Sequence, residues 1–195
     1  MARGSKQKIA RAALDVFVGR GFDAATTREI AAGAGLSEGA IYRHFRSKDD
    51  IASELFLSIH RAITDLVTRA GTDLADQGIE ATVRQVVRDY CALADADWTL
   101  FAFHLLQLHR FLHLWDDSEG DPVTAVRELI TAAALRGDIP AGAEELRAGM
   151  VLGVLSQVAQ NMAYGRLPGP LSAHVDAFAA AILAVLRATP VPARS

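Results

Sequence analysis

The chain has a single cysteine, Cys91, among 195 residues. One thiol cannot close an intrachain disulfide, and its isolation fits a reducing compartment. No apolar stretch approaches the ~20 residues that a membrane span requires. The longest, AFAAAILAVL at 177–186, is about half that length. The N-terminal MARGSKQKIARAALDVF carries charge but no apolar signal core, so a cytoplasmic location is expected. Period-two alternation is missing, which leaves no strand pattern. Internal repeats and low-complexity segments are missing as well. Nor is there a surplus of positive charge: the formal net charge is −3, which taken over the whole chain argues against a nucleic-acid binder.

What is present changes that argument. Residues 1–50 carry a net charge of +3 and the remainder −6. A basic N-terminal piece on an acidic body suggests that one part meets a polyanion and the other does not. With 51% hydrophobic and 22% charged residues, the chain has the composition of a folded globular protein. The expected division is 1–50 and 51–195.

The apolar period is helical almost throughout, so the expected fold is all-α. In KQKIARAALDVFVGRG, Ile9, Ala13, Val16 and Phe17 share a face, and Gly21 follows Arg20 as a stop. Thr26 with Glu29 has the spacing of a capping box, in which each side chain satisfies a backbone N–H of the first turn. Gly33 and Gly35 end that short helix. Ser37 is placed to cap the next, and Ser47 with Asp50 repeats the capping pattern for a longer helix from Lys48 to near Arg69. Further helices are expected in 78–95, 98–115, 122–136, 144–164 and 171–188.

Two short helices, Thr27–Ala34 and Glu38–Phe45, joined through Gly35–Leu36 fit a helix-turn-helix. In such a unit the second helix enters the major groove and its first turns meet base edges. Gly39 costs helix stability of about 1 kcal/mol relative to alanine, which close approach to DNA would offset. Ala40 is also small. Ser37 suits a phosphate, Ile41 and Phe45 face inward, and Tyr42, Arg43 and His44 carry donors, with a further cation at Lys48. The plain alternative is a solvated polar face. GLSEG at 35–39 also matches a serine nucleophile elbow, but that elbow needs a preceding strand, and here a helix precedes it. No enzymatic site is expected.

The stretch ALDVFVGRGFDAATTREIAAGAGLSEGAIYRHFRSKDDI, with IYRHFRSKDDI as its most specific part, resembles the DNA-binding domain of the TetR family of transcriptional regulators. The resemblance covers residues 5–55. It implies an all-helical homodimer, usually a repressor, with a variable C-terminal ligand domain. By position, Thr27, Ser37, Gly39, Tyr42, Arg43, His44 and Lys48 match places that commonly touch DNA in that family. Glu38 departs from a purely basic surface.

Beyond residue 56 no motif identifies a subfamily. The aromatic segment 98–115 reads either as plain core or as a cavity lining, since pockets are mostly apolar and aromatic. Its candidate ligand contacts are Trp98, Phe101, His104, Leu105, Leu108 and Phe111, with Tyr90, Met150, Gln157 and Asn161 adding walls and polar points. They suit a largely apolar effector. Leu112 and Trp115 continue the aromatic pattern. His109 and His113 are four apart, but no third ligand accompanies them, so no metal and no other cofactor is expected. Cys91 reads as a small buried residue. Small residues in 147–163 and 173–186, apolar nearly all round, predict a homodimer interface built from two helices of each subunit. The reading is a ligand-responsive regulator that binds an inverted-repeat operator. A helical carrier or enzyme, and an architectural DNA-binding protein without an effector, are the alternatives.

Overall fold

The computed structural model describes residues 2–111 and 120–189; Leu112, His113 and Trp115 lie outside the described residues. Among those described, every regular element is helical. In chain order these are α1 (Ala2–Arg20), α2 (Thr27–Ala34), α3 (Glu38–Tyr42), α4 (Lys48–Ala96), α5 (Trp98–Leu106), α6 (Leu108–Phe111), α7 (Pro122–Leu135), α8 (Glu144–Ala163), a 3₁₀ turn (Leu171–His174) and α9 (Val175–Arg187). The all-α expectation holds.

The chain divides into two compact units. The first runs to Ile59 and adds the described residues from Thr99 to Phe111; the second takes His60–Trp98 and the described residues from 120 onward. The first unit therefore reaches past residue 50 and includes most of the aromatic segment. Its core joins Ile9, Ala13 and Phe17 of α1, Ile30 of α2, Ile41, Phe45 and Phe56 to Phe103 and Phe111. Rings supply much of the contact: Phe17 lies 5.8 Å from Phe103, and Phe56 lies 5.5 Å from Phe111. His104 stacks on Phe56 at 4.7 Å.

In the second unit, α7 packs on α8 and α8 on α9. Asp121 starts α7 by accepting from the N–H groups of Val123 and Thr124 at 2.6 and 3.0 Å, with Pro122 in the first turn, where its missing N–H costs nothing. Asp95 accepts from the N–H groups of Leu171 and Ser172 at 2.9 and 3.0 Å and so anchors the 3₁₀ turn. Buried Arg147 donates to the carbonyls of Pro140, Gly142 and Ala188. Glu80 accepts from Arg187 at 2.8 Å, and this bond together with one from Arg84 holds its carboxyl below the usual range. Cys91 is fully buried, and burial raises its thiol pKa to about 11.

The helix expected to stop near Arg69 instead continues to Gly78, where the backbone leaves the helical region at φ 74°, ψ 164° before helix resumes. Gly71 stays helical, and a Cβ there would meet only Leu129 Cδ1, at an ordinary 3.9 Å. The conformation at Gly78 is nearly restricted to glycine. The helix expected over 98–115 breaks at Gln107, between α5 and α6.

The contrast predicts opposite outcomes for two similar substitutions. Gly78→Ala should cost about 1–3 kcal/mol. Gly71→Ala should be neutral or stabilising by up to about 1 kcal/mol. Urea unfolding midpoints of the two variants measure the difference.

Candidate nucleic-acid interface

Local chemistry sets the ends of the first helix of the helix-turn-helix. Thr26 and Glu29 form the complete capping box: Glu29 N–H donates to Thr26 Oγ1 at 3.2 Å, and Thr26 N–H donates to Glu29 Oε2 at 3.0 Å. Bonds from Thr26 hold the Glu29 carboxyl below its ordinary range. Gly35 closes α2 in the left-handed conformation, φ 66°, and Leu36 N–H returns to Ala31 O at 3.0 Å. α3 follows after Ser37. It ends at Tyr42 rather than Phe45, although the N–H groups of His44 and Phe45 still reach Ile41 O at 2.8 and 2.9 Å. The tightened turn keeps Phe45 in the core.

α3 is two-sided. Ala40 and Ile41 are buried, while Glu38, Gly39, Tyr42 and the following Arg43 are exposed. A Cβ at Gly39 would meet nothing within 4 Å. Packing within the chain therefore does not require a glycine there. Thr27, half-buried at the start of α2, reaches across to α3. Its hydroxyl donates to Glu38 Oε1 at 2.7 Å and lies 3.4 Å from the Tyr42 hydroxyl.

Three expectations change. Ala40 is only 4% exposed and belongs to the core side of α3, so its methyl cannot meet a base. Ser37 occupies the N-cap position with extended φ and ψ, yet its side chain makes no capping bond. Lys48, expected to neutralise a phosphate, points into the protein. Its ammonium donates to the carbonyls of Phe22, Asp23 and Ala25 at 3.0, 2.9 and 3.0 Å, which uses all three protons. At the start of α4, Ser47 Oγ accepts from Asp50 N–H at 3.1 Å, but the Asp50 carboxylate turns to Arg46 N–H at 2.9 Å, so the second box is half formed.

Of the other expected contacts, Tyr42 is 54% exposed, Ser37, Gly39 and Arg43 are exposed, and Thr27 and His44 are half-buried. Exposed Arg28 and Glu38 were not in the expected contact set. The Thr27–Glu38 bond spans eleven residues across a turn, a proximity that periodicity does not encode.

The profile described as bacterial regulatory proteins, tetR family, matches residues 9–55. This segment holds α2, the turn, α3 and most of α1. The HTH-type transcriptional regulator TtgW of Pseudomonas putida is 40% identical over 57 residues, 29% of this chain and 42% of TtgW, so the chain spans less than half of that relative. The HTH-type transcriptional repressor Rv1474c of Mycobacterium tuberculosis is 28% identical over 180 residues, covering 88% of this chain and 89% of its own length. In three dimensions the chain resembles the transcriptional regulator FadR of Bacillus subtilis, solved in complex with stearoyl-CoA, with TM-score 0.71 at 18% identity, covering 92% of this chain and 98% of that one.

The likeness to the TetR family thus rests on residues 9–55 in sequence and on most of the chain in fold.

The helix-turn-helix lies within the matched segment, and the remaining helices follow it in the chain. The expected effector contacts belong to both units. Phe101, His104, Leu105, Leu108 and Phe111 fall in the first unit, whereas Tyr90, Trp98, Met150, Gln157 and Asn161 fall in the second. Phe101 and Phe111 are 0% and 3% exposed, among the aromatic packing of the first unit. Tyr90 is buried, which raises its phenol pKa; Met150 is 48% exposed, and Gln157 is exposed too. Trp98 does line a cavity of about 280 Å³, with Asp95, Met162, Leu167, Gly169 and Pro170. Helical periodicity marks a buried face without saying which core it joins. Among the described residues, no three acidic, histidine or cysteine side chains are placed to hold a metal ion. No described helix is long and apolar enough to cross a membrane.

The Lys48 geometry carries a test of its own. Lys48→Met keeps the aliphatic stem and removes the three donors. It should lower unfolding free energy by about 1–3 kcal/mol, measured by urea titration of the two proteins.

Proposed function

We propose that this protein is a ligand-responsive transcriptional repressor that binds an inverted-repeat operator as a homodimer and releases it when a largely apolar small molecule binds. The observation that carries the reading is α3: seated by Ala40 and Ile41, it turns Glu38, Gly39, Tyr42 and Arg43 outward, with open space at Gly39. A short rigid helix with a side-chain-free outward position suits close approach to base edges in a major groove.

Dimerisation is supported by the second unit. On α8, Leu146 and Met150 are 61% and 48% exposed, and Tyr164 just beyond it is 59% exposed. On α9, Ala177, Ala180, Ala181 and Ala184 are exposed while Phe178, Ile182 and Leu183 face the core. An exposed face of small apolar residues lets a second helix approach closely. A two-fold dimer presents two identical reading helices, hence the inverted repeat. An apolar effector is supported by the acyl ligand of the B. subtilis FadR structure and by the mixed apolar lining around Trp98 and Met162.

The test is fluorescence anisotropy of a labelled random-sequence duplex across a salt series, followed by selection of bound genomic fragments. A regulator binds with steep salt dependence and enriches an inverted repeat; a carrier does neither. Arg43→Ala should reduce the salt slope by about one unit with unchanged stability, because its side chain is exposed. Gly39→Leu should abolish operator binding while the protein stays folded, since the added side chain meets nothing inside. For assembly, Ala180→Glu should yield monomers in sedimentation velocity at micromolar concentration. Leu183, at 5% exposure, is the wrong probe because charge there would disrupt the subunit's own core. Acyl-CoA added to the operator complex should weaken it about 5- to 150-fold if the effector reading holds.

A further inference from the structure

We infer that Glu38 is a base-reading residue that selects a cytosine in each operator half-site, held in its reading position by Thr27. This deepens the DNA-binding reading above and rests on it.

Glu38 is the first residue of α3 and is exposed. The first turn of the second helix is the part of a helix-turn-helix that meets base edges. A glutamate on a surface normally samples many rotamers, and fixing it carries an entropic cost. Here that cost is met within the protein, because Oε1 accepts from Thr27 Oγ1 at 2.7 Å. The same threonine oxygen lies 3.4 Å from the Tyr42 hydroxyl, which completes a short polar chain along the outward face. Oε1 is therefore anchored, and Oε2 is left to address what lies outside. Gly39 beside it adds no bulk: a Cβ there would have open space on all sides.

The chemistry of a carboxylate then narrows the choice. It accepts hydrogen bonds and donates none. In the major groove guanine offers the acceptors N7 and O6, and thymine offers O4, so both repel it. Adenine offers one N6 donor beside the N7 acceptor. Cytosine offers its N4 donor and no acceptor alongside, and is the established partner for glutamate. Phosphates repel it too, so Glu38 weakens binding wherever the cytosine is missing. A purely structural role, an acidic group favouring the first turn of a helix and bonding Thr27, would give no base preference.

The experiment is selection of bound duplexes from a randomised library by the full chain, comparing wild type, Glu38→Gln and Glu38→Ala. The wild type should enrich a motif with an invariant C·G pair at one position of each half-site, preferred over other pairs by at least about fivefold. In both variants the preference at that position should fall below about twofold while the rest of the motif persists. Both should also bind random duplex more tightly at low salt, having lost a charge that phosphate repels. Retention of the same cytosine by either variant overturns the inference but leaves the DNA-binding reading standing. A wild-type motif with no fixed cytosine does the same. If the wild type enriches no motif, the DNA-binding reading fails and this inference fails with it.

Discussion

The ammonium of Lys48 is the fixture on which the first unit depends. Three carbonyls, those of Phe22, Asp23 and Ala25, converge on it. They belong to the loop between α1 and α2, which contains no regular hydrogen bonding of its own beyond one turn. Lys48 thus ties the entry to α2 to the start of α4. The Phe22 ring is gripped from two directions, with Lys48 Nζ at 4.9 Å and the Arg110 guanidinium at 4.5 Å from its centroid. Arg110 also bonds Asp23 at 3.0 and 3.1 Å. With the loop held, the capping box at Thr26 starts α2 at a defined angle, and α3 follows from the Gly35 turn. Charge that looked destined for a polyanion is spent on organising the surface that would meet one.

Above that fixture the first unit has a sharp division of labour. Inward residues of α1, α2 and α3 join rings from α5 and α6 in one core, and outward residues of α3 take no part in it. The hydrogen bond from Thr27 to Glu38, and the proximity of Thr27 to Tyr42, lie on the outward side. They organise the exposed face without contributing to the apolar core.

The helix-turn-helix was legible to the residue in places and misleading in others. The bounds of α2 followed from Thr26, Glu29 and Gly35, because caps are local chemistry written in adjacent positions. The role of Lys48 was not legible: its acceptors are backbone carbonyls 23 to 26 residues away, and a backbone carbonyl has no sequence signature. The length of α4 was misread for a related reason. Gly71 looks like a stop and Gly78 is one, and only the dihedral angles distinguish them. The aromatic segment showed its buried face but not its destination. Phe103 and Phe111 pair with Phe17 and Phe56, more than forty residues away in sequence, and no periodicity records that choice. The spread of the expected effector contacts over two units has the same origin.

The two ties on the last helix of the second unit differ in what acid does to them. Arg187 is held by Glu80, whose carboxyl is kept ionised to lower pH by that bond and by Arg84. The carboxylate contributes while ionised, and its contribution is lost as the pH falls through its depressed folded value. Arg147, by contrast, closes on the carbonyls of Pro140, Gly142 and Ala188. Amide oxygens do not titrate. Acidification therefore releases Arg187 from Glu80 while the adjacent Ala188 carbonyl stays fastened to Arg147, so the C-terminal end of α9 keeps one of its two neighbouring holds at low pH.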